Sequence, residues 1–131
     1  MTPDQIALVE STFKRVAVDP EGAAALFYDK LFTLDPELRP LFKGDMREQG
    51  RKLMATLALA VSNIRRMETL VEPLKALGAK HRGYGVKPQH YQTVANALLA
   101  TLATALGDDF TPEAKEAWTQ TYLAVAGAMQ A

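Results

Sequence analysis

Two side chains in this sequence carry an imidazole, His81 and His90, and there is no cysteine. Disulfides, cysteine-bound zinc, iron–sulfur clusters and thiol nucleophiles are therefore excluded, and a neutral imidazole is the strongest candidate metal ligand left. His81 sits in Leu77-Gly78-Ala79-Lys80-His81-Arg82-Gly83. It lies one helical turn after Leu77, so it can project from the apolar face while Lys80 and Arg82 point elsewhere. Such a residue can ligate iron. It also suits a plain helix-end histidine at the negative helix pole, and taken alone that second reading is the more common one. His90, in Pro88-Gln89-His90-Tyr91, reads as a solvated histidine in the first turn of a helix, and its chain position disfavours a second axial ligand.

Two further polar residues share apolar faces. Tyr28 follows Phe27, and its hydroxyl needs a partner if its ring is buried. Gln49 precedes Leu53 by one turn. Each alone reads as a helix-seam tyrosine and an exposed glutamine; together they supply two donors over one site. No catalytic triad assembles. Gly78, Gly83 and Gly85 follow a helix, not a strand, so they do not form a phosphate-binding loop. Glu113 and Glu116 share a helix face and read as solvated.

The elements that must position these groups are marked by a recurring signal. Thr2-Pro3-Asp4, Asp19-Pro20-Glu21, Asp35-Pro36-Glu37 and Thr111-Pro112-Glu113 each place a capping oxygen, a proline and an acid in order. The cap satisfies a free N–H, proline suits the first helical position, and the acid complements the positive helix end. Between these marks apolar residues recur at intervals of three and four: Ile6, Val9, Phe13, Val16; Ala24, Phe27, Leu31, Leu34; Leu53, Leu57, Val61, Ile64; Leu70, Leu74, Leu77; Tyr91, Val94, Leu98, Leu102; Trp118, Tyr122, Val125, Met129. A short helix spans Pro36 to about Phe42, and another helix begins near Pro88. No strand or hairpin signal interrupts them. The expectation is one all-α domain over residues 1–131, either a helical bundle or a globin-like packing.

Fifteen basic and fifteen acidic residues balance to a formal charge of zero, which argues against nucleic acid as a partner. The polar N-terminus lacks a signal-peptide pattern, and the Leu53–Ile64 run is too short to span a bilayer. A cytoplasmic protein without membrane insertion is expected.

Leu26-Phe27-Tyr28-Asp29-Lys30-Leu31-Phe32 and Asp35-Pro36-Glu37-Leu38-Arg39-Pro40-Leu41-Phe42, then Lys80-His81, Gly85-Val86, His90-Tyr91, Glu116-Ala117-Trp118 and Tyr122, resemble the bacterial single-domain globins and the globin domain of flavohaemoglobins. The Arg51-Lys52-Leu53-Met54 segment and the short length look most like neuroglobin-like bacterial globins. The resemblance covers nearly the whole chain. It implies a three-over-three helical sandwich with a short or absent D helix, and haem b as cofactor. By the same resemblance His81 is the proximal iron ligand, Phe42 packs on the haem face, and Pro36 opens the short helix. Tyr28 and Gln49 are the distal ligand-stabilising pair, Leu53 stands on the same wall, and Tyr91 lies behind His81. Leu57, Leu77, Val86, Val94 and Leu98 are candidates for the apolar cavity, and Lys52 for a propionate partner, with Lys80 and Arg82 weaker candidates.

The implied function is reversible binding of oxygen, nitric oxide or carbon monoxide, for storage, delivery or buffering. Nitric oxide dioxygenation with a separate reductase, and gas sensing through a partner, use the same residues; a haem-free interaction module uses none of them. Two departures from the flavohaemoglobin pattern are expected. No flavin domain follows within the sequence, and the late-helix glutamate of that family would fall beyond Ala131, leaving a weaker push on the iron. A monomer or homodimer fits either reading.

Overall fold

The computed structural model describes residues 1–131 and is helical throughout. Six α-helices run in order: α1 (Pro3–Val16), α2 (Pro20–Leu34), α3 (Met46–Ser62), α4 (Val71–Gly83), α5 (Pro88–Leu106) and α6 (Pro112–Met129). Turns of 3₁₀ helix fill Pro36–Leu41, Ile64–Leu70 and Gly107–Asp109. The four signalled starts all hold. The Thr2 hydroxyl accepts from the Gln5 N–H at 3.1 Å and the Thr2 N–H donates back to the Gln5 side chain at 2.9 Å, closing a capping box. Asp19, Asp35 and Thr111 accept from the N–H of Gly22, Glu37 and Ala114. The short Pro36 helix is 3₁₀ rather than α, with Pro40 inside it, because a second proline removes an α-type donor.

Helices α1, α3 and α4 cross α2, α5 and α6. Helix α2 packs on α5 and α3, while α6 receives both α1 and α4. This is the expected three-over-three arrangement. The core centres on Trp118, Leu31, Leu102 and Val9, all essentially solvent-free. Burial of each aliphatic member stabilises the fold by roughly 1.5–3 kcal/mol. The Trp118 Nε1–H donates to Thr12 Oγ1 at 2.8 Å, so burying the indole leaves no orphaned donor. Leu34, placed on the apolar stripe of α2 by its spacing, is instead half exposed at the helix end, where the chain turns away at Asp35 before another layer can cover it.

Two glycines set helix spacing. At Gly50 an added Cβ would meet the Ala24 Cβ at 2.9 Å, so α3 lies close on α2. At Gly78 an added Cβ would collide with the Met129 main chain, so α4 rests directly on the end of α6. By contrast α3 and α4 scarcely touch each other. Leu53 and Leu57 of α3 and Leu77 of α4 are half-buried beside this sparsely filled interface, here the slot.

Candidate functional site

His81 occupies the last turn of α4, one side of the slot. Its Nδ1 lies 2.8 Å from the Leu77 carbonyl oxygen. With the proton on Nδ1 donating to that carbonyl, Nε2 carries the free lone pair, which is the tautomer a metal needs. The helix that carries it is held from behind. Gly78 permits main-chain contact with Met129, and Arg82 Nη1 donates to the Met129 carbonyl at 3.4 Å. The Val86 N–H returns to the His81 carbonyl at 3.0 Å, and Gly85 adopts a positive φ of 93°, so the α4–α5 corner folds tightly under the imidazole.

Leu77 and Tyr91 pack on this side against Leu70, Leu74 and Met129. The Tyr91 hydroxyl is buried with no hydrogen-bond partner. The Tyr91 carbonyl accepts from the Tyr122 hydroxyl at 2.6 Å. Burial raises the pKa of both phenols; nearby Arg82 partly opposes this at Tyr91. An orphaned buried hydroxyl costs about 1–3 kcal/mol, so Tyr91 is set up for an acceptor that the chain itself does not provide.

Tyr28 projects from α2 among three rings. Phe27 and Phe42 meet it edge-on at centroid distances of 5.2 and 5.4 Å, and Phe32 stacks at 5.9 Å. Its hydroxyl donates to the main-chain carbonyl of Gln49 at 3.2 Å. Burial pushes the Tyr28 pKa up to about 12, so this phenol is a neutral donor. Tyr28 and Gln49 are thus in contact, through the Gln49 backbone rather than its amide. Phe42 closes the corner after the 3₁₀ segment, packed on Tyr28 and Phe32.

Leu53 and Leu57 stand half-buried on α3, one and two turns after Gln49, and Val94 and Leu98 face them from α5 through the same core. Leu53, Leu57 and Leu98, with Phe13, Phe27 and Trp118, also border an apolar void of about 20 Å³. Val86 is half-buried at the α4–α5 corner, and Lys52 is exposed beside Leu53. His90 takes no part in the slot. Its Nδ1 accepts from the Lys87 N–H at 2.9 Å, capping α5 rather than standing free in solvent. Spacing along the chain does not mark Gly78 and Arg82 as positioning residues. A glycine inside a helix one turn before a candidate ligand was the available signal for close helix approach.

The donor set decides what the slot can hold. No group of three or more His, Asp or Glu side chains gathers anywhere, so a bare metal ion has too few protein ligands. A single imidazole suffices when the metal arrives in a macrocycle that supplies the other in-plane nitrogens. One anchored imidazole, half-buried apolar side chains and an unpartnered tyrosine fit such a group. The Globin family model matches residues 25–129.

The chain belongs to the globin family. It is 32% identical over 126 residues to the flavohemoprotein of Bacillus subtilis, covering 94% of this chain and 32% of that one. It is 29% identical to the flavohemoprotein of Vibrio cholerae, covering 96% and 33%. The chain therefore spans about a third of the length of these curated relatives. Among solved structures, a Campylobacter jejuni bacterial globin superposes with a TM-score of 0.83 at 25% identity, covering 96% of this globin and 91% of the other chain. An engineered carbene transferase of Rhodothermus marinus gives 0.85 at 24%, covering 97% and 89%, and bears on the fold alone. No helix of this globin is long and apolar enough to cross a membrane.

Proposed function

We propose that this globin holds one haem b between α3 and α4 through His81 Nε2 and binds oxygen, nitric oxide or carbon monoxide reversibly. The observation that carries the reading is the His81 Nδ1 contact with Leu77, because with the proton on Nδ1 it leaves the Nε2 lone pair free for iron. When bound, the haem supplies an iron with one open face for a diatomic gas. The rest is done by the chain. Half-buried Leu53, Leu57, Leu77, Val86, Val94 and nearby Leu98 exclude water. Phe42 braces the slot edge, and exposed Lys52 would pair with a propionate. Tyr91 offers its unpartnered hydroxyl on the proximal side.

Tyr28 is the donor for a partially negative ligand atom. Its present bond to Gln49 is long, at 3.2 Å, so rotation into the slot gives up little. Its raised pKa keeps the proton on the phenol at all physiological pH. The Gln49 amide provides a second donor from α3. Donors in a dry pocket discriminate by charge, favouring oxygen over carbon monoxide.

Absorption spectra of the purified chain with haem test this, taken in ferric, ferrous and ferrous–carbonyl forms beside His81→Ala. A ferrous five-coordinate spectrum that converts cleanly with carbon monoxide and is lost in His81→Ala supports the assignment. Haem uptake indifferent to His81→Ala would overturn it.

A further inference from the structure

The chain is neutral overall, but its charges are segregated. Residues 39–52 and 80–90 contain eight of its fifteen basic residues and two of its fifteen acidic ones. These two stretches therefore carry a net charge of six positive, and the remainder six negative. They are also neighbours in space, because the position of a Cβ on Gly85 lies 3.4 Å from Leu41. Lys43, Arg47, Lys52, Lys80, Arg82 and Lys87 are all exposed, and none belongs to the three ion pairs of the fold. The two propionates of a bound haem would neutralise two of the six excess charges and leave four.

At the middle of the second stretch stands Tyr84, 63% exposed between Arg82 and Lys87. Its ring centroid is 6.2 Å from that of His81. Tyrosine and arginine are the residue types enriched at binding hot spots. The compensating acids lie elsewhere. Asp4, Glu113 and Glu116 share one shallow cleft at the start of α1 and α6, while Gly78 and Arg82 touch the last turn of α6. That helix has 18 residues, so the two charged ends are separated by about 27 Å at 1.5 Å per residue. This is several Debye lengths at physiological salt, at about 8 Å each, and an approaching anionic partner feels the basic end without the acidic one.

We propose that this basic collar, which includes exposed Tyr84, is the docking face for an acidic electron-carrier protein. The inference rests on the haem reading above. Iron oxidised in the slot is restored by one electron, and a carrier seated on Tyr84 would sit beside His81. The transfer is one electron from carrier to iron(III), giving iron(II), with no atom exchanged. A protein surface of paired carboxylates matches unpaired lysines and arginines beside an aromatic side chain, and complementary charge steers the encounter.

Flavodoxin, a small acidic flavin protein, is the probe. Calorimetric titration into the haem-loaded chain is expected to show affinity falling about tenfold or more between roughly 50 and 300 mM salt. The double variant Lys43→Glu, Lys87→Glu is expected to lose about tenfold or more, and Tyr84→Ala several-fold, while Lys115→Glu on α6 stays within about twofold. Reduction by flavodoxin hydroquinone should fall in parallel, with dithionite reducing every variant at one rate. Salt-insensitive binding, equal loss in Lys115→Glu, or no binding at all overturns the proposal. So does collar-dependent binding to phosphatidylglycerol vesicles with flavodoxin ignored, which would make the face a membrane surface. Loss of haem is read separately from the Soret band; flavodoxin titrated into the haem-free chain still reports on the collar.

Discussion

Gly78 of α4 lies against the main chain of Met129 in α6 with no room for even a methyl group between them. The contact sits three residues before His81, so the lateral position of the candidate iron ligand is set by the end of a different helix. Replacing Gly78 with alanine forces the two backbones apart, and overpacking of this kind costs about 1–3 kcal/mol. Gly127 is the internal control. Its Cβ direction is open, so Gly127→Ala should stabilise α6 by about 0.4–1 kcal/mol. Urea unfolding midpoints of the two variants should move in opposite directions; a shift in the same direction would dissociate Gly78 from the helix contact.

Tyr28→Phe removes one donor from the slot while keeping the ring packed among Phe27, Phe32 and Phe42. A hydrogen bond of about 1 kcal/mol or somewhat more to bound oxygen predicts release faster by roughly tenfold. Stopped-flow displacement by carbon monoxide measures it. An unchanged rate would mean that the phenol keeps its bond to the Gln49 carbonyl throughout.

Alkaline titration reports on the same residue. Tyr28 is held protonated up to about pH 12 by burial, and burial also raises Tyr91 and Tyr122. In the unfolded chain a tyrosine ionises near pH 10. Between those values the folded state binds more protons, so stability falls as pH rises. The contribution is fully present below about pH 10 and is lost by the time the buried phenols ionise. Urea unfolding across this window should show the decline, and Tyr28→Phe should make it shallower.

His90→Ala separates the two histidines. It removes the acceptor of the Lys87 N–H and should cost about 0.5–2 kcal/mol as a lost helix cap. Haem uptake should be unaffected. A loss of the haem spectrum in this variant would place an iron ligand where the geometry puts a cap.

The elements were legible because their signals are local. Thr2, Asp19, Asp35 and Thr111 cap as their spacing predicts, since a cap needs only a side chain and an N–H two or three residues on. Asp45 also caps a helix, accepting from the Arg47 N–H, but no proline follows it to mark the start. His90 was passed over as a cap because histidine is not among the usual capping residues. Leu34 misled because helical periodicity continues to the end of α2 although nothing covers its last turn. For the site, resemblance pointed to His81, Tyr28 and Gln49 by order along the chain. It could not give the Tyr28 contact with the Gln49 main chain, which depends on how closely α2 and α3 cross at Gly50 and Ala24. Nor could spacing reveal that Arg82 reaches Met129, 47 residues further on.

The scarcity of contact between α3 and α4 also bears on how the molecule gains its final order. Helix α4 leans on α6 and on the 3₁₀ turn before it and meets α3 only sparsely. A segment supported on one side is the first to open and exchange its amide protons. The group that fills the slot would then complete the core as well as equip it. Its binding free energy becomes folding free energy, and the steepest gain in protection should appear in residues 71–83, the helix that presents His81.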